Sequence, residues 1–283
     1  MGSSTGFGAS GPGGLHEPPP QLAVHGVSKR FRGPDGQART ALGSIDLTVP
    51  PGRFCVLIGP TGCGKSTILS MIAGLSRPSE GSILIDGEPV LETDPRTGFM
   101  FQNDAVFPWK TVLGNVAAGP RFRGAAKREA VTDARDWLRR VGLSGFEDYY
   151  PHQLSGGMRK RVALAQTPIN GPRILLMDEP FAGLDAQTRQ IMSDELLELW
   201  EQLGASVLMV THDLEEAIAL ADTVVVLTAG PATVKKEFTV DLPRPRGVRE
   251  VRFKPRFAEL HEQIWSCLSE EVTVAYARAT TSA

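Results

Sequence analysis

The segment Gly59-Pro60-Thr61-Gly62-Cys63-Gly64-Lys65-Ser66-Thr67 fits the pattern Gly-x-x-x-x-Gly-Lys-Ser/Thr, which forms phosphate-binding loops. An apolar run at 53–58 precedes it and is short enough for a buried strand. A second run, at 68–73, follows it and has the character of a helix that ends at Gly74. Because this kind of loop lies between a strand and a helix, both neighbours support a phosphate site at 59–67.

Each residue type in this loop has a task in phosphate binding. Glycines let backbone N–H groups curl around phosphate oxygens, and the helix N-terminus adds positive potential. Lys65 supplies a point charge for the β- and γ-phosphates of a nucleotide, and the Ser66 hydroxyl is placed to ligate Mg²⁺. A chance glycine-rich turn would lack the Lys-Ser-Thr and the two flanks.

Two carboxylates follow another buried strand. The continuous apolar run at 174–177 predicts a parallel strand, and Asp178 and Glu179 stand at its carboxyl end, where α/β sheets bind ligands. We predict that Asp178 holds the Mg²⁺ shell. We predict that Glu179 polarises a water molecule for attack on the γ-phosphate. The alternative is a surface acidic pair, which the phosphate loop upstream disfavours.

Gln102 and His212 follow two further apolar runs, at 98–101 and 206–211. The amide oxygen of Gln102 could reach Mg²⁺ or hold the attacking water, and His212 could contact the γ-phosphate. Alone, such a glutamine is more often a surface residue and such a histidine a structural one. A place on the same crevice as the two carboxylates favours the catalytic interpretation of both.

The region from 103 to 166 has a mainly helical pattern and contains a second candidate anion site. Ser155 is a good N-cap, and Gly156 and Gly157 expose backbone N–H groups at a helix start. Leu-Ser-Gly-Gly is a common turn, so the signal depends on its position between the two earlier motifs.

Two aromatic residues have two interpretations each. Phe31 either stacks on an adenine ring or packs in the core. Trp109, at an irregular joint between a strand and the helical region, either anchors a partner protein or packs in the core.

Composition limits the class of protein. The chain has 283 residues, 41% hydrophobic and 22% charged, which is ordinary for a globular protein with a large core. A net charge of −2 gives no basic field, so we expect no nucleic-acid partner. Three cysteines without metal spacing indicate reduced thiols of the cytosol. No apolar run approaches the roughly 18 residues of a membrane span, so any membrane role requires a partner.

The order of elements predicts an α/β fold with a mostly parallel sheet. We expect residues 1–21, rich in glycine, serine and proline, to form a disordered tail. The main domain should cover 22–228, with a helical subdomain at about 103–166. A C-terminal extension at 229–283 should carry an amphipathic helix, because its apolar residues have helical spacing. Those residues are Phe257, Leu260, Ile264 and Leu268.

Taken in order, these motifs resemble the ATP-binding subunit of an ABC transporter over about residues 22–228. The resemblance places Gln102 in the Q-loop, residues 154–158 in the signature, Asp185 in the D-loop and His212 as the switch histidine. It implies an ATPase with a P-loop NTPase core, an N-terminal antiparallel β portion and an inserted α-helical subdomain.

The same resemblance implies a homodimer closed around two ATP molecules. Ser155, Gly156 and Gly157 of one copy would then contact the ATP held by the other copy's phosphate loop. Phe31 stands at the adenine platform, where tyrosine is commoner. At 166–169, Gln-Thr-Pro-Ile replaces the usual Ala-Arg-Ala-Leu, and Pro168 is expected to end the signature helix early.

Segments 107–112 and 241–246 are similar to those of the nitrate/sulfonate/taurine-type importers. This implies an integral membrane permease as partner and, indirectly, a periplasmic or extracellular solute-binding protein. It implies a peripheral position on the cytoplasmic face of the inner membrane. Related importers carry thiamine-precursor pyrimidines, riboflavin or aliphatic amides, so the solute stays open.

Three other classes compete with the importer. A soluble ABC ATPase acting on nucleic acid or protein complexes is the main alternative, although such proteins often have tandem cassettes or long coiled-coil insertions. A P-loop kinase or GTPase would not need the signature or the switch histidine. A non-catalytic scaffold subunit would be expected to lack Lys65 or Glu179.

Overall fold

A computed structural model describes residues 19–33, 36–103 and 105–281. The predicted tail lies outside the described residues as far as residue 18. The strands are β1 (Leu22–Arg32), β2 (Ala38–Val49), β3 (Phe54–Ile58), β4 (Glu80–Ile85), β5 (Glu88–Pro89), β6 (Thr97–Met100), β7 (Ile174–Asp178), β8 (Ser206–Val210), β9 (Thr223–Leu227) and β10 (Val234–Thr239). The helices are α1 (Lys65–Ile72), α2 (Val112–Val116), α3 (Ala118–Phe122), α4 (Lys127–Arg140), α5 (Gly156–Gln166), α6 (Ala186–Leu203), α7 (Leu214–Leu220), α8 (Val248–Val251) and α9 (Pro255–Thr281).

The larger sheet of the described residues has the order β10-β9-β3-β8-β7-β6. Its pairs from β9 to β6 are parallel, and β10 is antiparallel at one edge. Strands β3, β7 and β8 are buried along their whole length, as their continuous apolar character predicts. The smaller sheet, β2-β1-β4-β5, is antiparallel throughout. Both sheets confirm the predicted fold class.

The part of the chain that connects β6 to β7 forms the helices α2 to α5. α4 turns one apolar face inward, with Ala130, Ala134 and Leu138 buried. α5 ends at Gln166, and the buried Pro168 opens a short 3₁₀ helix (Pro168–Asn170), as expected for a residue that cannot continue a helix. The end of α5 still packs closely on the sheet, because a Cβ on Gly98 would lie 3.0 Å from Thr167 Cγ2.

The segment after residue 228 contributes to the same hydrophobic core. β10 extends the larger sheet, and α9 buries the four residues named from their helical spacing: Phe257, Leu260, Ile264 and Leu268. These side chains join the core cluster that includes Phe54 of β3 and Ile218 of α7. In the described ranges, none of the helices combines the length and apolar character required to cross a bilayer.

Candidate active site

The phosphate-binding loop connects β3 to α1 and holds the ammonium of its own lysine. Lys65 is buried, and its Nζ donates to the carbonyl oxygens of Gly59 at 2.8 Å and Pro60 at 3.0 Å. Thr61 and Gly62 are exposed at the tip of the loop, whereas the Cys63 side chain is turned inside. The loop therefore presents backbone and ammonium donors together, which is the arrangement that binds phosphate.

Gly64 allows β2 to approach the loop from behind. Its φ is +112°, a conformation that favours glycine, and a Cβ there would lie 2.5 Å from Leu42 Cδ2. Leu42 is fully buried and supports the loop at the point where α1 begins. Sequence reasoning missed Leu42, because nothing in its local pattern distinguishes it from other core residues.

The parallel strands bring four chain segments to one edge of the larger sheet. β3, β8, β7 and β6 are neighbours in that order, so their carboxyl ends share a crevice. The predicted residues that lie at or after these ends are Lys65, Ser66, Gln102, Asp178, Glu179 and His212.

Glu179 contacts two of the other predicted residues in this crevice. Gln102 donates from Nε2 to Glu179 Oε2 at 3.1 Å, and His212 Nδ1 lies 3.2 Å from the same oxygen. The Glu179 backbone N–H donates to Val210 O at 2.9 Å, which ties the residue to β8. One carboxylate oxygen of Glu179 is thus contacted by both of the residues that the sequence predicted on the same crevice, Gln102 and His212.

Ser66 and Asp178 form a second pair beside the loop. The Ser66 hydroxyl donates to Asp178 Oδ1 at 2.9 Å, which joins the start of α1 to the end of β7. A hydroxyl and a carboxylate are the hard oxygen ligands that Mg²⁺ prefers, usually with water and phosphate oxygens completing its shell. Among the described residues, no group of three or more His, Cys, Asp or Glu could hold a metal. The Ser66–Asp178 pair fits a metal that is bound jointly with a nucleotide, because a hydroxyl and one carboxylate leave the other ligand positions to water and phosphate oxygens.

The signature segment begins α5. Ser155 is the N-cap, as predicted, and its Oγ accepts from Met158 N at 3.3 Å. Ser155 and Gly156 are exposed, so the first N–H groups of the helix can meet an anion from outside this chain. Gly157 packs near α6, because a Cβ there would lie 3.1 Å from Thr188 Cγ2.

Asp185 caps α6 on the exposed surface. Its Oδ1 accepts from Gln187 N at 3.1 Å and Thr188 N at 3.0 Å, and the Thr188 hydroxyl donates to Oδ2 at 2.7 Å. These hydrogen bonds, led by the Thr188 backbone, lower the pKa of the Asp185 carboxyl. The carboxylate has a structural role within the chain, and a contact with nucleotide stays a prediction.

The two aromatic residues with open interpretations are both at the surface. Phe31, near the end of β1, is 47% exposed, and Lys29 Nζ lies 5.3 Å from the centre of its ring. Trp109 is 71% exposed. The core interpretation is therefore wrong for both, and adenine stacking by Phe31 stays a prediction.

Comparison with known proteins identifies the family. A family profile described as ABC transporter matches residues 42–182. The chain is 45% identical over 252 residues to an uncharacterized ABC transporter ATP-binding protein of Methanocaldococcus jannaschii, covering 89% of this chain and 92% of that protein. The chain belongs to the ABC transporter ATP-binding protein family. It is an ATPase, with ATP as its nucleotide and Mg²⁺ as the metal partner of that nucleotide.

Other relatives of this ABC ATPase carry more specific names. It is 39% identical over 252 residues to the nitrate import ATP-binding protein NrtD of Synechocystis sp., covering 87% of this chain and 94% of that protein. It is 41% identical over 235 residues to the aliphatic sulfonates import ATP-binding protein SsuB of Bacillus cereus, covering 82% and 91%. A solved dimeric ATP-binding cassette in a post-hydrolysis state, bound to ADP and Pi, has a TM-score of 0.70 and 31% identity, covering 78% of this chain and 100% of that one.

The electrostatics of the ABC ATPase site favour a bound cation. Burial raises the pKa of the Asp178 carboxyl, and the nearby Glu179 charge raises it further, against the Ser66 hydrogen bond and Lys65. Adjacent acidic groups in a half-buried site are stabilised as carboxylates when positive charge is added.

Sequence reasoning missed two groups that hold the site in place. Lys160 of α5 is buried and donates from Nζ to Gln102 O at 2.7 Å, which ties the signature helix to the Q-loop. Thr211, Arg189 and Glu216 lie behind Glu179 and His212. A charged residue among the apolar positions of a helix was the available signal for Lys160 and Glu216, since such residues are rarely buried without a partner.

Proposed function

We propose that this ABC ATPase drives a small-solute importer, in which two copies close around ATP and move a membrane permease. The permease would carry a nitrate-, sulfonate- or taurine-type solute or a related small molecule. The importer names of the nitrate and sulfonate relatives support this assignment. The observation that carries its ATP-hydrolysing step is the shared contact of Gln102 and His212 with one oxygen of Glu179.

In this proposal Glu179 is the general base of hydrolysis. Its carboxylate takes a proton from the attacking water, and Gln102 and His212 orient this carboxylate. Both side chains would also sense the γ-phosphate, because they reach the same crevice from β6 and β8, the strands on either side of β7. Lys65 would exchange its loop carbonyls for phosphate oxygens, and the loop amides would bind the remaining phosphate charge.

Ser66 and Asp178 would hold the Mg²⁺, with Gln102 as a further ligand. When bound, the metal neutralises charge on the phosphates. The Ser66 oxygen would offer a lone pair to the cation while its hydroxyl donates to Asp178, a hydrogen bond that joins the start of α1 to the end of β7.

The second copy of the chain completes each nucleotide site. Ser155, Gly156 and Gly157 present helix N–H groups outward, and Asp185 lies exposed at the start of α6. A face-to-face dimer would place these groups against the ATP of the opposite copy. The dimeric arrangement of the solved cassette that resembles this chain supports such a pairing.

An aromatic groove beside the Q-loop is suited to the permease. It has a volume of about 370 Å³ and is lined in part by Phe101, Phe107 and Phe122. Trp109 lies next to Phe107 with ring centres 5.6 Å apart, and Phe122 is 74% exposed. An exposed aromatic surface of this kind fits a cytoplasmic helix of a membrane protein. The chain would then sit on the cytoplasmic face of the inner membrane, with the solute-binding protein on the other side.

Purification from native membranes under mild detergent tests the proposal. A multi-span permease should accompany the chain, and its companion solute-binding protein should identify the solute. Trp109→Ala should lose the permease, whereas Trp265→Ala, a matched change of an exposed tryptophan on α9, should retain it. Recovery only in the soluble fraction with nucleic acid or another complex would favour the soluble ABC ATPase instead.

A further inference from the structure

A small cavity lies directly behind the pair formed by Glu179 and His212. Its volume is about 50 Å³. Its lining includes Glu179 and His212 together with Thr211, Arg189 of α6 and Glu216 of α7. The cavity therefore connects the proposed base with a buried acid that the mechanism does not use.

Two buried polar atoms of this cavity's lining residues have no hydrogen-bond partner within the described part of the chain. They are Glu216 Oε1 and Arg189 Nε. The other atoms of both groups are engaged: the Thr211 hydroxyl donates to Glu216 Oε2, and Arg189 Nη1 donates to Asp213 Oδ2 at 2.7 Å. Buried polar atoms are almost always paired with protein or ordered water. A cavity needs roughly 10–15 Å³ of space for a water-sized probe to hold one water molecule, so this cavity has room for such a partner.

We propose that this cavity is an ordered-water site held by Glu216 and Arg189, and that Glu216 is a positioning residue for ATP hydrolysis. Glu216 acts through the water on Glu179 and through Thr211 on His212. This inference rests on the proposed catalytic role of Glu179.

The path from Glu216 to His212 is short. Thr211 Oγ1 accepts from Asp213 N at 3.1 Å while its hydroxyl donates to Glu216, and Thr211 N donates to Leu57 O at 3.3 Å. Glu216 thus holds the residues on both sides of His212 against β3. If Glu216 is shortened, the segment that carries His212 loses its buried anchor.

The charge state of Glu216 is set by its surroundings. The side chain is buried, and desolvation raises its pKa to about 7, with the Thr211 hydrogen bond opposing the shift. Asp213 of the α7 N-terminus and Glu179 of the β7 end raise it further, and Arg189 of α6 lowers it. His212 faces the same cavity. Near neutral pH much of the carboxyl is protonated and can donate to the cavity water.

A simpler role would be helix capping alone. Glu216 is the third residue of α7, the capping-box position, and its N–H donates to Asp213 Oδ1 at 3.0 Å. Its carboxylate, however, contacts the Thr211 hydroxyl. If Glu216 only caps α7, its replacement should change the free energy of unfolding and leave kcat unaltered.

The test compares Glu216→Ala and Glu216→Gln with Glu215→Ala, the same change on the exposed side of α7. Glu215 pairs with Arg252 at 3.1 Å, away from the cavity. We expect Glu216→Ala to lower kcat by about a hundredfold, the scale of a misplaced reacting group, with KM for ATP unchanged. Glu216→Gln should restore most of kcat, because the amide can still bind Thr211 and water. Its kcat should also vary less than the wild-type value between pH 6 and pH 8.

A high-resolution crystal structure of the unmodified ATPase gives an independent readout. It should show a water in contact with Glu216 Oε1 and Arg189 Nε, and a dry cavity would overturn the water site. A correctly folded Glu216→Ala with wild-type kcat would overturn the positioning role. If that variant does not fold, the pH profile of Glu216→Gln decides the same question. Should Glu179→Gln keep its turnover, the proposed base would fail while the water would still be observed.

Discussion

Glu179 occupies an unusual backbone conformation for its residue type. Its φ is +45°, in the left-handed region that side chains other than glycine rarely adopt. The hydrogen bond from Glu179 N to Val210 O holds this conformation at the end of β7. Backbone strain of this kind concentrates at functional sites, where it aims a side chain that regular structure would direct elsewhere. Here the Glu179 side chain is directed at Gln102 and His212.

Replacement of this carboxylate should separate ATP binding from hydrolysis. We expect Glu179→Gln to bind ATP and to hydrolyse it at least about a hundredfold more slowly, which is the scale of losing a general base. The measurements are phosphate release and nucleotide binding by equilibrium dialysis. Glu198→Gln, an exposed change on α6, should leave both quantities unaltered. Wild-type turnover in Glu179→Gln would remove the residue from the role of base.

Helix α7 places an acidic residue in the core. Glu216 is 4% exposed, and burial raises the pKa of its carboxyl from 4.5 to about 7. Between these two values the folded protein keeps a proton that the unfolded chain has lost. The free energy of unfolding therefore falls as pH rises through this window.

Glu216→Gln should remove this pH dependence. At pH 8 the ionised Glu216 costs the wild-type protein about 3 kcal/mol relative to pH 4.5 and below, because each pKa unit corresponds to about 1.4 kcal/mol. The neutral amide avoids that cost, so we expect the variant to be the more stable protein at pH 8 and to have similar stability near pH 5. Urea unfolding at both pH values measures the difference. Equal stability of the two proteins at pH 8 would show that the carboxyl titrates normally.

The complete chain carries both halves of a nucleotide site on separate elements. The phosphate loop precedes α1, and the signature lies at the exposed start of α5. In the proposed dimer the halves that meet belong to different copies. Each copy then contributes a phosphate loop to one site and a signature to the other.

A mixing experiment tests this composite site. Lys65→Ala removes the ammonium group that should contact the phosphates. Ser155→Arg places a bulky side chain on the signature and should block its contact with ATP. Each variant alone should therefore lose ATPase activity. A dimer with one copy of each contains one site with both defects and one site with neither. We therefore expect the mixture to regain activity that neither variant has alone. Two differently tagged copies that copurify without any recovered activity would contradict a site shared between copies.

The C-terminal segment packs into the hydrophobic core of the main fold. Leu260 and Ile264 of α9 are buried in the core cluster that contains β3, and the ion pair of Lys235 with Glu271 joins β10 to α9. The division into a domain at 22–228 and an extension at 229–283 remains a prediction about chain organisation. Helix α9 contacts β9, and β9 pairs with β3 in the sheet that carries the candidate site.

Much of this arrangement could be predicted from local patterns. Buried strands were recognised in the apolar runs at 174–177 and 206–211 because parallel strands covered on both faces are continuously apolar. Ser155 and the phosphate loop were recognised because helix starts impose their own residue preferences. Gln102, Asp178, Glu179 and His212 were identified because each stands at or near the carboxyl end of an apolar run.

Contacts between distant segments depended on the order of the strands. β3 pairs with β8 although four strands lie between them in the chain, and no local pattern specifies that order. It is this order that places Gln102 and His212 on one oxygen of Glu179. The same order closes the cavity beside Glu216. Local chemistry thus determined which residues are candidates for the site, and tertiary packing decided which of their atoms meet, because those contacts join residues far apart in the chain.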